Sequence, residues 1–388
     1  MSRSSKNKEV GEENEQFTED ASKNILNALL RGCQDDHFND IITISTKIST
    51  GSLFLDGILG GGISTGTSCR LIGGHSAGKS SQSLLLMYNY LQTIPNSKGF
   101  YIQAEPRFSE NLQQRSGLKF VYNAKEWEVG TVFVFVCNIF EAIASTLEGI
   151  LRIMHENNQN LCCILDSLDQ LILRRDLVEK EIQDGMKVAG IPLMTKLFYR
   201  RLGLKINKYN CLMILISQAS AFIDANSYGP KAPPRPVNAS GGAAAAHCMD
   251  VIIEYTPRYN KHLILEDNEK PPDMVKNKIL GHKCPIIIRK STNETDSLSC
   301  EINIKHGQKI NCIWRSIEVS QVALQWEMVK REKNTLKFTN DIIEQAKQDG
   351  IELKQEIVGE NKFYNYFDEN KDVCDWFYNK FKNLLYNN

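Results

Sequence analysis

The chain has no net charge: 46 Lys and Arg offset 46 Asp and Glu over 388 residues. No global basic field draws it to nucleic acid or to a membrane surface, so any DNA contact has to come from local patches. Paired thiols are missing too. Eleven cysteines are scattered singly apart from Cys162–Cys163, and no C-x-x-C occurs, which excludes zinc ribbons and dithiol redox motifs. Such thiols are expected to be reduced and buried, as in a cytoplasmic protein. Long apolar runs are lacking: Val132–Cys137 and Cys211–Ile216 are far too short to span a bilayer. Met1 to Asp20 is polar and acidic, without the apolar stretch of a secretory signal. No internal repeat is visible. The expectation is a soluble, cytoplasmic protein with no membrane partner.

What the chain does have is an ordinary globular composition, 42% hydrophobic and 24% charged. Its length suits one large core plus a smaller appendage, since single cores stop growing at about 250–300 residues. Residues 1–20 read as a flexible leader. Within 21–48, Ile25, Leu26, Leu29 and Leu30 recur at helical spacing, and Asp40–Ser49 alternates Ile42, Ile44 and Ile48 with Thr and Ser, predicting a helix and an isolated strand. Across 49–308, predicted strands at Cys69–Ile72, Phe100–Gln103, Val132–Cys137, Cys162–Leu165, Leu212–Ser217 and Val251–Tyr255 are mostly continuous apolar runs, as in strands covered on both faces. Helical stretches separate several of them, the pattern of an α/β fold with a mostly parallel central sheet. His262–Leu265, Met274–Ile279, Pro285–Arg289 and Ser299–Ile304 follow with short loops and predict an antiparallel extension. Residues 309–388 turn to helix formers and end on an amphipathic helix marked by Trp376, Phe377, Phe381, Leu384 and Leu385, predicting a small helical domain.

The strongest motif is Gly73-Gly74-His75-Ser76-Ala77-Gly78-Lys79-Ser80, a full G-x-x-x-x-G-K-[ST] match, followed by Ser81 at the head of an apolar helix. Glycines let successive backbone N–H groups close around phosphate oxygens, and the helix N-terminus adds partial positive charge. Lys79 supplies a compact charge for the outer phosphates of ATP, and the Ser80 hydroxyl is a ligand for Mg²⁺. A second metal-side carboxylate is expected at the end of another buried strand. Asp166, after Leu161–Leu165, fits. Glu105 and Gln218 end two further predicted strands, the first suited to position an attacking water and the second to sense the terminal phosphate. Singly, each reads as a solvated strand end. Together they match the habit of open α/β sheets, which gather functional groups at the carboxyl ends of strands.

In this order the residues resemble the RecA family of recombinases, including its bacteriophage UvsX branch, from about Ile48 to Gly307. The lead-in Ser49-Thr50-Gly51-Ser52-Leu53-Phe54-Leu55-Asp56 and Leu59-Gly60-Gly61-Gly62-Ile63 is similar to the family's, as are Gln103-Ala104-Glu105, Leu165-Asp166-Ser167 and Ile216-Ser217-Gln218. The resemblance implies catalysis by Glu105 with Lys79 and Gln218, and Mg²⁺ on Ser80 and Asp166. Most particular is Val275-Lys276-Asn277-Lys278-Ile279. It implies a strand whose Lys276 and Lys278 reach the ATP of the adjacent subunit, and a polymerisation element within 21–48.

Also implied is a homo-oligomeric helical filament on single-stranded DNA that pairs with homologous double-stranded DNA, served by a mediator and a single-strand-binding protein. Two loops would grip DNA, at about 176–190, with Lys187, and at 219–242, with Phe222, Lys231, Arg235, Gly241 and Gly242. The second is long, Pro/Gly-rich and aperiodic, as functional loops often are. Lys196, Arg200, Arg201 and Lys205 form a basic ridge opposite Leu193, Leu197 and Leu204. Departures from the family are Pro106-Arg107-Phe108-Ser109 where adenine contacts usually lie, and His247 where an interface phenylalanine is usual. The same residues leave room for a RecA-fold ring ATPase or helicase, or for a non-catalytic recombination mediator.

Overall fold

Apolar runs such as Cys162–Leu165 and Leu212–Ile216 have no polar face to offer water, and each becomes a strand buried on both sides. The computed structural model describes residues 21–32, 38–39, 44–106, 108–177, 190–220, 238–239, 247–257, 259–266, 270–273 and 275–386. It has two units, residues 1–42 and 43–388. In the first, residues 21–32 form helix α1, with Ile25, Leu26 and Leu29 exposed.

In the second unit β1 (Lys47–Ile48), α2 (Leu53–Ile58) and β2 (Ile63–Ser64) lead into β3 (Ser68–Gly73), α3 (Lys79–Thr93) and β4 (Ser97–Gln103). Then come α4 (Glu110–Ser116), β5 (Lys119–Val121), β6 (Thr131–Val136), α5 (Phe140–Glu156) and β7 (Asn160–Asp166). Next are α6 (Gly190–Lys208), β8 (Leu212–Ser220), β9 (Asn238–Ala239), β10 (Val251–Tyr255), β11 (Leu263–Leu265), β12 (Ile279–Lys290) and β13 (Ser299–Lys305).

The main sheet runs β11-β12-β10-β3-β8-β7-β4-β6-β5, with β13 on β12 and β9 on β8. From β10 to β5 every neighbouring pair is parallel. The fold is therefore α/β, with a large, mostly parallel central sheet. Period-two alternation sends Cys69, Leu71, Ile214 and Ile216 to the α3 face, and Ile72, Met213 and Leu215 to the α5–α6 face. For the site, the decisive consequence is register. Gly73 lies opposite Gln218 and Gln103 opposite Asp166, so β3, β8, β7 and β4 end along one edge.

Three expectations need correction. Residues 275–278 are not a strand: Asp273 Oδ1 accepts from Val275 N at 2.9 Å and Lys276 N at 2.8 Å. This side-chain turn takes the amides a ladder would need; Met274 lies outside the described residues, and Ile279 opens β12. Within Asp40–Ser49 only Lys47–Ile48 is strand among the described residues, residues 40–43 lying outside them. Beyond residue 308 the chain is not purely helical. Around α7 (Arg315–Gln325) it forms a three-stranded sheet of β14 (Val329–Glu332), β15 (Thr335–Phe338) and, after α8 (Asn340–Gln348), β16 (Glu356–Val358), before α9 (Glu360–Glu369) and α10 (Lys371–Tyr386). Leu336, Phe338 and Ile357 bury one face of that sheet against Phe363, Phe367 and Phe377. Its strands are too short and polar to outweigh the helix formers around them.

Candidate nucleotide site

The segment Gly73–Ser80 joins β3 to α3, the strand–loop–helix context its sequence requires. Gly78 caps α3 at φ +98°, a conformation that favours glycine. No side chain caps this helix end by a hydrogen bond, so its amides and dipole are available to an anion. A Cβ at Gly73 would lie 2.7 Å from Tyr255 O, so only glycine lets β10 run this close. The loop is backed by Cys284, whose Sγ is 3.3 Å from Ala77 O, and by Ile304, which abuts Gly78. His75 and Ser76 stand at the surface and Gly74 is half-buried, whereas Ala77 and Lys79 are buried.

Lys79 Nζ donates to Gly73 O at 2.8 Å and Gly74 O at 2.7 Å. Burial pushes its pKa down, opposed by the negative charge of Asp166, Asp169 and Glu105. Ser80 Oγ donates to Asp166 Oδ2 at 3.1 Å, and Tyr101 OH donates to the same oxygen at 2.8 Å. Burial raises the Asp166 pKa, Tyr101 and Ser80 lower it through their hydrogen bonds, and Glu105 adds like-charge repulsion. Glu105 Oε1 accepts from Ser167 Oγ at 2.5 Å and from Gln218 Nε2 at 3.2 Å. Of the five residues singled out in the sequence, Ser80 pairs with Asp166 and Gln218 with Glu105, the backbone N–H of Glu105 donates to Asp166 O at 3.1 Å, and Lys79, bonded to the loop carbonyls, stands near both carboxylates.

The cluster suits a triphosphate with Mg²⁺. The glycine cradle and Lys79 could meet its phosphates. Ser80 and Asp166 give one hydroxyl and one carboxylate, the sparse protein ligation Mg²⁺ takes when phosphates and waters complete its shell. Among the described residues no group of three or more His, Cys, Asp or Glu forms a metal cage. Beside the loop, a cavity of about 300 Å³ is lined by Ser76, Gly78, Ser81, Arg115, His282 and His306. The two imidazoles meet at 2.9 Å between His282 Nδ1 and His306 Nε2. Phe108, in the divergent stretch after Glu105, does not line it; its ring stacks on Tyr101 at 4.3 Å.

The basic ridge on α6 differs from its expectation. Lys196, Arg200 and Arg201 are exposed, but Arg201 and Lys205 converge on Glu148 of α5 at 2.6 and 2.5 Å. Leu197 and Leu204 are exposed rather than buried; Met194, Phe198, Leu202 and Ile206 make the inner face. Helix α5 selects that stripe because its own apolar residues lie there. Lys276 and Lys278 are exposed on either side of buried Asn277, whose Nδ2 donates to Lys270 O and Pro271 O at 3.0 Å each. Lys187, Phe222, Lys231, Arg235, Gly241 and Gly242 lie outside the described residues.

Sequence reasoning missed Tyr101, Ser167, Asp169 and Arg70. Tyr101 was readable: it stands two residues before Gln103, the register partner of Asp166, on the same strand face. Asp169 has no such signal, because its role depends on a turn after β7 bringing it to Gln218 N at 2.7 Å. No family model matches the sequence, and no curated protein is significantly similar to it.

Proposed function

We propose that the chain is an ATP-dependent, RecA-like recombinase that forms helical filaments on single-stranded DNA and pairs it with homologous duplex. The observation that carries this reading is the convergence of Lys79, Ser80, Asp166, Glu105 and Gln218 at the carboxyl ends of four adjacent parallel strands. Gly73–Ser81 binds the phosphates through backbone amides and Lys79, and the adjoining cavity takes the nucleoside. Ser80 and Asp166 hold Mg²⁺, which when bound neutralises charge on the phosphates. Glu105 orients a water and accepts its proton. Gln218 touches the terminal phosphate and joins it to the segment that follows β8. That segment, with the loop after β7 and with Lys196 and Arg200, supplies phosphate contacts and stacking groups for single-stranded DNA. Lys276 and Lys278, outward on a rigid turn, reach the triphosphate of an adjoining copy, so nucleotide binding favours polymerisation.

Lys79→Ala tests the scheme. Loss of a charge-assisted contact worth about 1.5–3 kcal/mol weakens nucleotide binding roughly 10- to 100-fold. Electron microscopy with ATP and single-stranded DNA is expected to show helical filaments for the wild-type chain and none for the variant. Closed wild-type rings would identify a ring motor instead, and filaments unaffected by the substitution would refute the nucleotide's role.

A further inference from the structure

Behind Gln218 lies a second polar layer that phosphate binding does not use. Arg70 sits in the middle of β3, only 2% exposed, on the face that packs against α5 and α6. An arginine at such a place is costly unless its charge and donors are met. Its Nε donates to Ser217 Oγ at 2.9 Å, and Ser217 is wholly buried. Burial lowers the Arg70 pKa, and the negative charge of Asp169 opposes that shift. Asp169, in the short turn after β7, uses its Oδ2 to accept from the backbone N–H of Gln218 at 2.7 Å.

The place of this contact matters. The last described β7–β8 pair is Leu165 with Leu215, so Gln218 lies beyond the reach of that ladder. Its amide is held by a carboxylate instead of by a strand. One residue later the chain enters the β8–β9 pair, with Ala219 opposite Ala239 and Ser220 opposite Asn238. The Gln218 side chain meanwhile reaches Glu105 at 3.2 Å. A single residue therefore carries the cluster on its side chain, the Asp169 carboxylate on its amide, and the base of the following hairpin on its next peptide.

We infer that Asp169 is a positioning residue, backed by Arg70 and Ser217, that anchors the Gln218 backbone so that nucleotide contact at its side chain is passed to the β8–β9 base. This rests on the proposed function. Without the anchor, the Gln218 peptide is held only on its β3 side, opposite Gly73, and a pull on its side-chain amide is absorbed by play on the side that β7 no longer covers. With it, the motion is delivered to the strand end. Asp169 Oδ2 is spent on Gln218 N, and the carboxylate's charge lies near enough to favour the Arg70 cation.

The test is the ratio of affinities for a labelled single-stranded oligonucleotide with and without a slowly hydrolysed ATP analogue and Mg²⁺. For the wild-type chain the ratio is expected in the range of about 5- to 150-fold that coupled sites usually show. Asp169→Ala is expected to bring it below about 2-fold and, because it leaves the buried Arg70 charge unmet, to lower thermal stability as well, while affinity for a fluorescent ATP analogue remains near wild type. Asp169→Asn keeps an acceptor for Gln218 N and is expected to recover part of the ratio, which a purely structural lesion would not do. Ser217→Ala, which removes only the Arg70 acceptor, is expected to lower it as well and serves if Asp169→Ala folds poorly. A full wild-type ratio in Asp169→Ala, or in both of the milder variants, overturns the anchor alone. No nucleotide dependence in the wild-type chain removes the recombinase reading and the anchor with it.

Discussion

Gln218 donates from Nε2 to Oε1 of Glu105 at 3.2 Å, joining the ends of β8 and the β4 loop across the intervening strand β7. Ser167 Oγ donates to the same oxygen at 2.5 Å. Both bonds fall on Oε1, which leaves Oε2 to accept from a water. The carboxylate is thus oriented by two neutral donors.

Glu105→Gln keeps a carbonyl oxygen for those donors and removes only the base. ATP turnover in the presence of single-stranded DNA is expected to fall by about 10²–10⁴-fold, the usual weight of a general base. Affinity for a fluorescent ATP analogue is expected to stay near wild type. Turnover at the wild-type rate would take Glu105 out of the chemistry.

Much of this arrangement was legible in the sequence. The strand–loop–helix placement of Gly73–Ser80 was legible because that spacing of glycine, lysine and serine is read between a strand and a helix. Asp166, Glu105 and Gln218 were legible because each follows an apolar run, and parallel strands bring their carboxyl ends to one edge. The turn at Asp273–Lys278 was not, since Val-Lys-Asn-Lys-Ile has strand propensity and only the Asp273 side chain overrules it. Arg70 was also illegible: a lone cation in an apolar run does not reveal that Ser217 and Asp169 lie within reach of it.

A buried carboxylate, Glu318, joins the C-terminal helices to the start of α2. Glu318 on α7 accepts from Ser52 Oγ at 2.7 Å and from Leu53 N at 2.8 Å, at the start of α2. Burial pushes its pKa up to about 8, and pushes that of nearby Asp56 up to about 6. Above the ordinary carboxylate range the unfolded chain has released protons that the folded chain still holds. These groups therefore favour folding at low pH, and that contribution declines as pH rises through about 6 for Asp56 and about 8 for Glu318. Glu318→Gln mimics the protonated side chain. Its thermal midpoint is expected to vary less than that of the wild-type chain between pH 5 and pH 9, and at pH 9 to be no lower. A variant with the unaltered pH dependence would show that Glu318 does not titrate in this window.

The two glycines that open the phosphate loop are not equivalent. A Cβ at Gly73 meets Tyr255 O at 2.7 Å and Tyr255 Cβ at 2.8 Å, whereas one at Gly74 meets nothing within 4 Å. Gly73→Ala must push β10 from β3 and is expected to lose about 1–3 kcal/mol of stability in urea unfolding, the usual cost of overpacking. Gly74→Ala is expected to change it by less than about 0.5 kcal/mol, as surface substitutions do. Equal effects would mean that β10 does not press on Gly73.

Lys276 and Lys278 present the sharpest test of assembly. Asn277 is 2% exposed and locked to two carbonyls, so the flanking lysines are fixed outward by a rigid turn. Replacing both by alanine removes charge without disturbing Asp273 or Asn277. Nucleotide affinity of the dilute protomer is expected to stay within about 2-fold of wild type, because uninvolved surface substitutions cost under about 0.5 kcal/mol. DNA-stimulated turnover is expected to fall by about 10³-fold or more, the effect of losing a cation supplied in trans to a transferring phosphoryl group. Mixing the variant with Lys79→Ala chains separates the roles, since one brings an intact loop and the other intact lysines. Recovery of turnover in the mixture, absent from either alone, is the signature of a site built by two copies; a double variant active on its own would rule that site out.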